Sequence, residues 1–337
     1  MSFFNKAKSA ASILVLDLGF LGDSVHLIPA LQCISKNFPN AKIDVLLSEH
    51  IKDVLSFTPG LREVYGYPRF PKGPKWYEHG PWLKFFKEKK YDAVINLNGS
   101  SRSSILTFLT RAKYRLGRGD DKNDGYIRYC YTEMVNASRI DEPIYRQNLK
   151  CLEMAGFPSG EYPFVQEIPE GEILSIREKF SLPNDFVHLS PFTNNDYKEL
   201  PAEFLAKVLN ACQAQNPYNW VVSCANNQRE LKKMQGFLQL LNFKPALVLD
   251  GKASVKELIA IIHKAKIHLG GDSGALHLAR MTNTPTLSWF REYEGIKAWL
   301  PEDDCDTYFI GQAKEEGLEG IDFEEFLLSL ENKIKSF

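Results

Sequence analysis

Apolar and polar positions alternate along the chain in blocks of two lengths. Ile13-Leu-Val-Leu-Asp-Leu18 reads as a buried parallel strand, and the run breaks at Gly19. Beyond the turn, Val25, Ile28, Leu31 and Ile34 recur at helical spacing, so a helix is predicted over Asp23 to Asn37, with Pro29 in its early turns. Further strands are predicted over Lys42 to Leu47, Arg62 to Tyr67 and Tyr91 to Leu97, with helices over Ile51 to Phe57, Trp82 to Lys90 and from Asn98 to about Ala112. Pro68 to Pro81 reads as a loop, and Arg118 to Asp141, with no clean period, as a long loop or broken helix. A helix from Pro143 to Ala155 then leads to the Pro- and Gly-rich segment Phe157 to Gly171, the best linker in the chain.

The second half repeats the grammar. Strands are predicted over Phe186 to Ser190, Trp220 to Cys224, Ala246 to Leu249, Ile267 to Leu269, Pro285 to Phe290 and Tyr308 to Ile310. Helices follow over Pro201 to Gln215, Gln228 to Leu241, Ser254 to Ala265, from Asp272, and over Phe323 to Ile334. Ser254-Val-Lys-Glu257 is a capping box. Strand–helix alternation predicts an α/β fold with parallel sheets covered on both faces, here in two doubly wound domains facing each other across a cleft. The domains are placed at 1–157 and 158–320, with 321–337 a terminal helix able to pack back on the first.

A length of 337 residues suits two cores better than one. The net charge of −1 argues against wholesale nucleic-acid binding. Six scattered cysteines without a C-x-x-C pair predict free thiols, a reducing compartment and no zinc site. No apolar run is long enough to span a bilayer, so a cytoplasmic location is expected, with contact to a membrane surface left open. Between Arg62 and Arg128, fifteen Lys and Arg stand against seven Asp and Glu, interleaved with Trp76, Tyr77, Trp82 and Tyr114. Such a face suits an anionic substrate or a phospholipid surface, or is ordinary solvated surface.

Two glycine turns lie beyond strand ends, where ligands bind in such sheets. The first is Gly19-Phe-Leu-Gly22-Asp23; the second is Gly270-Gly271-Asp272-Ser273-Gly274, followed by His277. Free backbone N–H groups and the positive helix end make these turns anion sites. Asp23 could take a proton from a hydroxyl, or could simply cap its helix. Thr193, Asn194 and Lys198, between a strand and a helix, could hold phosphate oxygens, or could form a solvated polar loop. His277 could face the ligand or be structural.

Taken together, these residues resemble the heptosyltransferase family, glycosyltransferase family 9. Leu18-Gly-Phe-Leu-Gly22-Asp23-Ser-Val-His26-Leu-Ile-Pro29 is similar to its N-terminal signature. Tyr91 to Leu97 resembles its recurring strand, and Lys198-Glu-Leu-Pro201 its lysine-then-proline step. Gly271-Asp272-Ser273-Gly274-Ala-Leu-His277-Leu-Ala279 is similar to its C-terminal signature. The resemblance implies a GT-B fold of two Rossmann-like domains with an interdomain cleft. It implies inverting, metal-independent transfer of heptose from ADP-heptose, a substrate rather than a cofactor, to the lipopolysaccharide core. Asp23 would be the base, with Gly19 and Gly22 shaping the turn near the acceptor. Thr193, Asn194, Lys198, Gln228, Asp272, Ser273, Gly274 and His277 would line the donor site. Arg69, Lys72, Arg102 and Arg118 are the candidate contacts to an anionic glycolipid acceptor, and the enzyme would work at the cytoplasmic face of the inner membrane.

Three stretches depart from the family pattern. Gly19-Phe20 stands where small hydroxyl residues are usual, Cys224-Ala-Asn-Asn-Gln228 replaces a glycine pair and glutamate, and Arg291-Glu292 replaces a Gly-Pro step. A different donor or a protein acceptor, or a non-catalytic nucleotide-sugar binder, are therefore the alternative readings. A nicotinamide oxidoreductase fits less well, because Gly19-Phe-Leu-Gly22 is not G-x-G-x-x-G.

Overall fold

A computed structural model describes residues 1–68, 80–119, 125–137, 142–315 and 317–336. Arg69 and Lys72, expected to meet the acceptor, lie outside the described residues, as do Trp76 and Tyr77. The chain divides into two units, Met1–Phe164 and Val165–Phe337, at a point inside the Pro- and Gly-rich segment.

The first unit opens with helix α1 (Phe3–Ala7) and strand β1 (Ser12–Leu16), buried along almost its whole length. Short helix α2 (Leu21–Val25) and then α3 (Ile28–Asn37) occupy the stretch expected to be one helix. Pro29 is the reason. It has no N–H to give to the carbonyl one turn back, and it starts a helix far better than it continues one. Strands β2 (Lys42–Ser48) and β3 (Glu63–Tyr67) flank a 3₁₀ segment over Glu49–Leu55. Helix α4 (Gly80–Lys89), β4 (Ala93–Asn96), α5 (Ser101–Leu109), β5 (Tyr114–Gly119), β6 (Glu133–Asn136) and α6 (Ile144–Met154) complete the unit. The sheet order is β3-β2-β1-β4-β5-β6, and every pairing is parallel.

β5 and β6 correct the long-loop expectation. Their sequences, Tyr-Arg-Leu-Gly-Arg-Gly and Glu-Met-Val-Asn, lack the apolar run of a buried strand. Tertiary packing supplies what the pattern lacks. The Tyr131 ring lies where a Cβ on Gly117 would come within 2.5 Å of it, so glycine is required there. Tyr131 also exchanges hydrogen bonds with Ser104 (2.7 Å) and Asn96 (2.7 Å), tying this end of the sheet to α5 and β4.

The second unit begins with α7 (Glu170–Phe180), a helix absent from the sequence-based expectations, and β7 (Val187–Ser190). It continues through α8 (Ala202–Gln215), β8 (Trp220–Val222), α9 (Gln228–Gln239), β9 (Leu247–Val248) and α10 (Val255–Lys264). The predicted capping box opens α10: the Glu257 amide donates to Ser254 Oγ, and the Ser254 amide donates to Glu257 Oε2. β10 (Ile267–Gly271), α11 (Gly274–Met281), β11 (Thr286–Arg291), β12 (Asp306–Lys314), β13 (Gly317–Glu319) and α12 (Phe323–Lys335) follow. The order is β13-β12-β11-β10-β7-β8-β9, parallel except for the β12–β13 pair.

In α12, Phe326, Leu327, Leu330 and Ile334 are buried and join the core of the second unit with Trp220, Trp289 and Leu209. All six cysteines are free thiols, four of them buried.

Candidate active site

In the first unit, the chain leaves β1 at Asp17 and turns through Gly19 into α2. Asp17 is buried, and its Oδ1 accepts the Gly19 amide at 2.7 Å and the Asn98 side chain at 3.2 Å. The ends of β1 and β4 are thereby pinned to one carboxylate. Asp23 sits in the first turn of α2, where its Oδ2 accepts the Phe20 amide at 2.9 Å. It therefore does cap its helix, and at a helix N-terminus its charge is stabilised by the dipole. A carboxylate offers about four acceptor sites, of which the Phe20 amide takes one. A Cβ on Gly19 would come within 2.7 Å of both Cβ and Oδ2 of Asp23. Glycine is needed so that the turn can fold against this carboxylate. Gly22 is buried inside α2, and His26 is packed between Tyr145 and Phe164 with no exposure at all.

Of the candidate acceptor contacts, Arg102 is half-buried on α5. Arg118 does not lie on an open basic face. It is 4% exposed, and its guanidinium donates to Gln147 Oε1 (2.6 Å), the Ala137 carbonyl (3.2 Å) and Asn148 Oδ1 (3.4 Å). An arginine bonded this way holds β5 to α6, which corrects its expected role.

In the second unit, three of the expected residues meet. Lys198 Nζ lies 2.6 Å from Asp272 Oδ2, and His277 Nε2 lies 3.9 Å from Asp272 Oδ1. Lys198 ends a short 3₁₀ turn after β7, Asp272 follows β10, and His277 is on the first turn of α11. Ser273 is the N-cap of α11, and its buried Oγ has no hydrogen-bond partner among the described residues. Gly271 lets Trp289 Nε1 and the Thr193 methyl close in, at 2.6 and 3.0 Å from where a Cβ would stand. Gly274 opens α11, so its amide is one of the unpaired donors of the helix start.

His277 is fully buried beside Trp299, ring centroids 5.4 Å apart. Burial pushes its pKa down to about 4, with the Asp272 charge opposing and Arg280 and Lys198 adding to the shift. At neutral pH it is an uncharged imidazole. Burial likewise holds His188 and His268 below the ordinary histidine range; their Nδ1 atoms are 2.8 Å apart on β7 and β10. Groups that resist protonation when folded make the fold less stable as pH falls from about 6.5, their usual value, towards their folded value. We expect His277 to remove about 2 kcal/mol of unfolding free energy between pH 7 and pH 5. Urea unfolding at the two pH values checks this, since His277→Gln should show a shallower loss than the parent by that amount.

Thr193 is held by a network that the sequence did not reveal. Its amide donates to Glu199 Oε1 at 2.9 Å, and its carbonyl accepts from Arg229 Nη1 at 2.8 Å. Glu199 is 4% exposed and accepts from both Arg229 and Lys233 at 2.6 Å. The same two cations hold the Asp196 carboxyl below the usual carboxylate range, Lys233 most strongly. Arg229 and Lys233, four apart on α9, thus clamp the loop that carries Lys198. Asn194 is exposed, and its Oδ1 accepts from Asn195. Gln228 is exposed at the start of α9. The acid closest in sequence, Glu230, is buried and accepts from the Ala225 amide and the Asn227 side chain, so it shapes the turn after β8. The signal for it was an acid in the first turn of a helix. Among the described residues, no group of three or more His, Cys, Asp or Glu is placed to hold a metal ion.

Comparison with known proteins gives one consistent picture. The profile of glycosyltransferase family 9 (heptosyltransferase) matches residues 82–310. Lipopolysaccharide heptosyltransferase 3 of Escherichia coli is 25% identical over 288 residues, which cover 84% of each chain. Lipopolysaccharide core heptosyltransferase OpsX of Haemophilus influenzae is 24% identical over 318 residues, 91% of this chain and 86% of the relative. The crystal structure of a family 9 glycosyl transferase from Veillonella parvula superposes with a TM-score of 0.83 at 19% identity, covering 97% of this chain and 98% of that one. Escherichia coli heptosyltransferase WaaC with ADP gives 0.75 at 17% identity, covering 96% and 99%.

Proposed function

The chain belongs to glycosyltransferase family 9, the heptosyltransferases, and from that premise we propose that it moves a heptose from ADP-heptose to the lipopolysaccharide core with inversion at the anomeric carbon. It is a glycosyltransferase with two Rossmann-like domains of the GT-B kind. The observation that carries the finer reading is the Lys198–Asp272–His277 constellation at the glycine turn before α11.

In this reading, Asp23 accepts the proton of the acceptor hydroxyl as its oxygen attacks the anomeric carbon. The bond from that carbon to the diphosphate oxygen breaks on the opposite side, and ADP leaves with the electron pair. The departing diphosphate gains charge, which Lys198 and the free amides at Ser273 and Gly274 stabilise as donors already in place. Neutral His277 adds no positive charge at neutral pH and offers a hydrogen bond. Thr193 is positioned by Glu199 and Arg229 rather than by solvent, which favours a fixed contact to the donor. Asn194 and Gln228 remain proposed donor contacts on the family likeness alone.

The acceptor side is supported by charge. Arg102, Arg111 and Lys113 lie in a stretch, Ser100 to Gly119, that carries no Asp or Glu. Ile105 and Phe108 stand exposed on α5 beside Arg102 and Arg111. An anionic glycolipid embedded in a membrane surface suits such a face. No helix among the described residues is long and apolar enough to cross a membrane, so the contact is peripheral in this reading.

The test is turnover with purified protein. ADP-heptose with a heptose-acceptor core oligosaccharide should yield ADP and a single inverted linkage, and UDP- or GDP-sugars should give less than about a tenth of that rate. Nucleotide binding without released ADP would identify a binding protein instead. Faster turnover of another nucleotide sugar would reassign the donor.

A further inference from the structure

β11 ends on Arg291. The guanidinium lies 5.1 Å from the Tyr197 ring centroid and 4.9 Å from that of Tyr293. Its Nε is buried, yet it has no hydrogen-bond partner among the described residues. Tyr197 belongs to the same 3₁₀ turn as Lys198. Tyr293 is half-buried, and its hydroxyl is pushed up to about 12 by burial, with the Asp272 charge adding and the Arg291 charge opposing. Arg291 and Asp272 are therefore both within electrostatic reach of one phenol. The Lys198–Asp272 pair, the unpartnered Ser273 Oγ and the unpartnered Arg291 Nε gather at the carboxyl ends of neighbouring strands β10 and β11.

These features share one chemistry. Lys198 is already neutralised by Asp272, so the pair brings little net charge to a dianionic ligand. Arg291 is a cation braced by two rings, which limits its rotamers and lowers the entropy lost on binding. A planar guanidinium suits two phosphate oxygens at once. We propose that Arg291 is a diphosphate-binding residue of the donor site, supplying the positive charge that Asp272 takes from Lys198. The assignment rests on the donor reading above.

Calorimetric titration of the full chain with ADP and AMP tests it, with UDP and GDP as further probes for the base. Arg291→Ala should weaken ADP binding by about 10-fold or more, the size of a charge-assisted hydrogen bond, and AMP binding by less than about 3-fold. The melting temperature should stay within about 2 °C, because the side chain is only half-buried. Unchanged ADP affinity in Arg291→Ala, or equal losses for ADP and AMP, overturns the assignment while leaving the donor reading intact. If the parent protein binds none of the three nucleoside diphosphates, the donor reading falls and this assignment falls with it.

Discussion

Asp23→Asn should lower kcat for sugar transfer by about 10²–10⁴-fold and leave the affinity for the nucleotide-sugar donor within about 2-fold. The asymmetry follows from what the side chain does in the fold. Asn keeps an oxygen that can accept the Phe20 amide, so the start of α2 and the turn through Gly19 survive. What disappears is the negative charge and the basicity, which the proposed mechanism uses while the acceptor hydroxyl is losing its proton. Steady-state kinetics with saturating acceptor, together with calorimetry on the donor, separate the two quantities. Loss of donor affinity in step with kcat would make Asp23 a binding residue. Normal turnover would leave it a helix cap and nothing more. Gly19→Ala offers a complementary route, since it keeps the carboxylate and displaces it. A methyl there cannot share space with Asp23 Cβ at 2.7 Å, so kcat should fall although every polar group is still present.

The glycine turns illustrate what a sequence can reveal. Apolar runs at strand spacing, glycine at the break and periodic apolar positions afterwards are local signals, and they located β1, β7, β10 and the turns beyond them. Local signals failed where long-range contact decides the outcome. β5 is a strand because Tyr131, Gln147 and Asn148 satisfy and pack a segment whose own pattern, with two arginines and two glycines, argues for a loop. Arg118 looked like surface charge for the same reason, since its three partners lie 19 to 30 residues away. Likewise, the clamp from Arg229 and Lys233 to Glu199 spans 30 and 34 residues and could not be read from spacing. Lys198 and Asp272 are 74 residues apart, yet both were found, because each sits beside a strand end and parallel sheets bring such ends together.

Lys198→Ala should cost about 10²–10³-fold in kcat, as removal of one donor to a developing oxyanion does, and it should destabilise the protein as well. The second effect arises from Asp272, whose side chain is 9% exposed against 20% for the lysine. Deleting the ammonium leaves that carboxylate without the partner 2.6 Å away, at a cost of roughly 1–3 kcal/mol. A fall in activity could then come from a distorted site rather than a lost charge on the leaving group. The double variant Lys198→Met, Asp272→Asn separates the two, because it removes the orphaned charge together with its cause. Its melting temperature should return most of the way to the parent value while kcat stays depressed, since the departing diphosphate has lost the Lys198 donor and meets only the α11 amides and Arg291. Recovery of turnover along with stability would show instead that Lys198 serves only as the counter-ion of Asp272, and stabilisation of the leaving group would have to come from the α11 amides and Arg291.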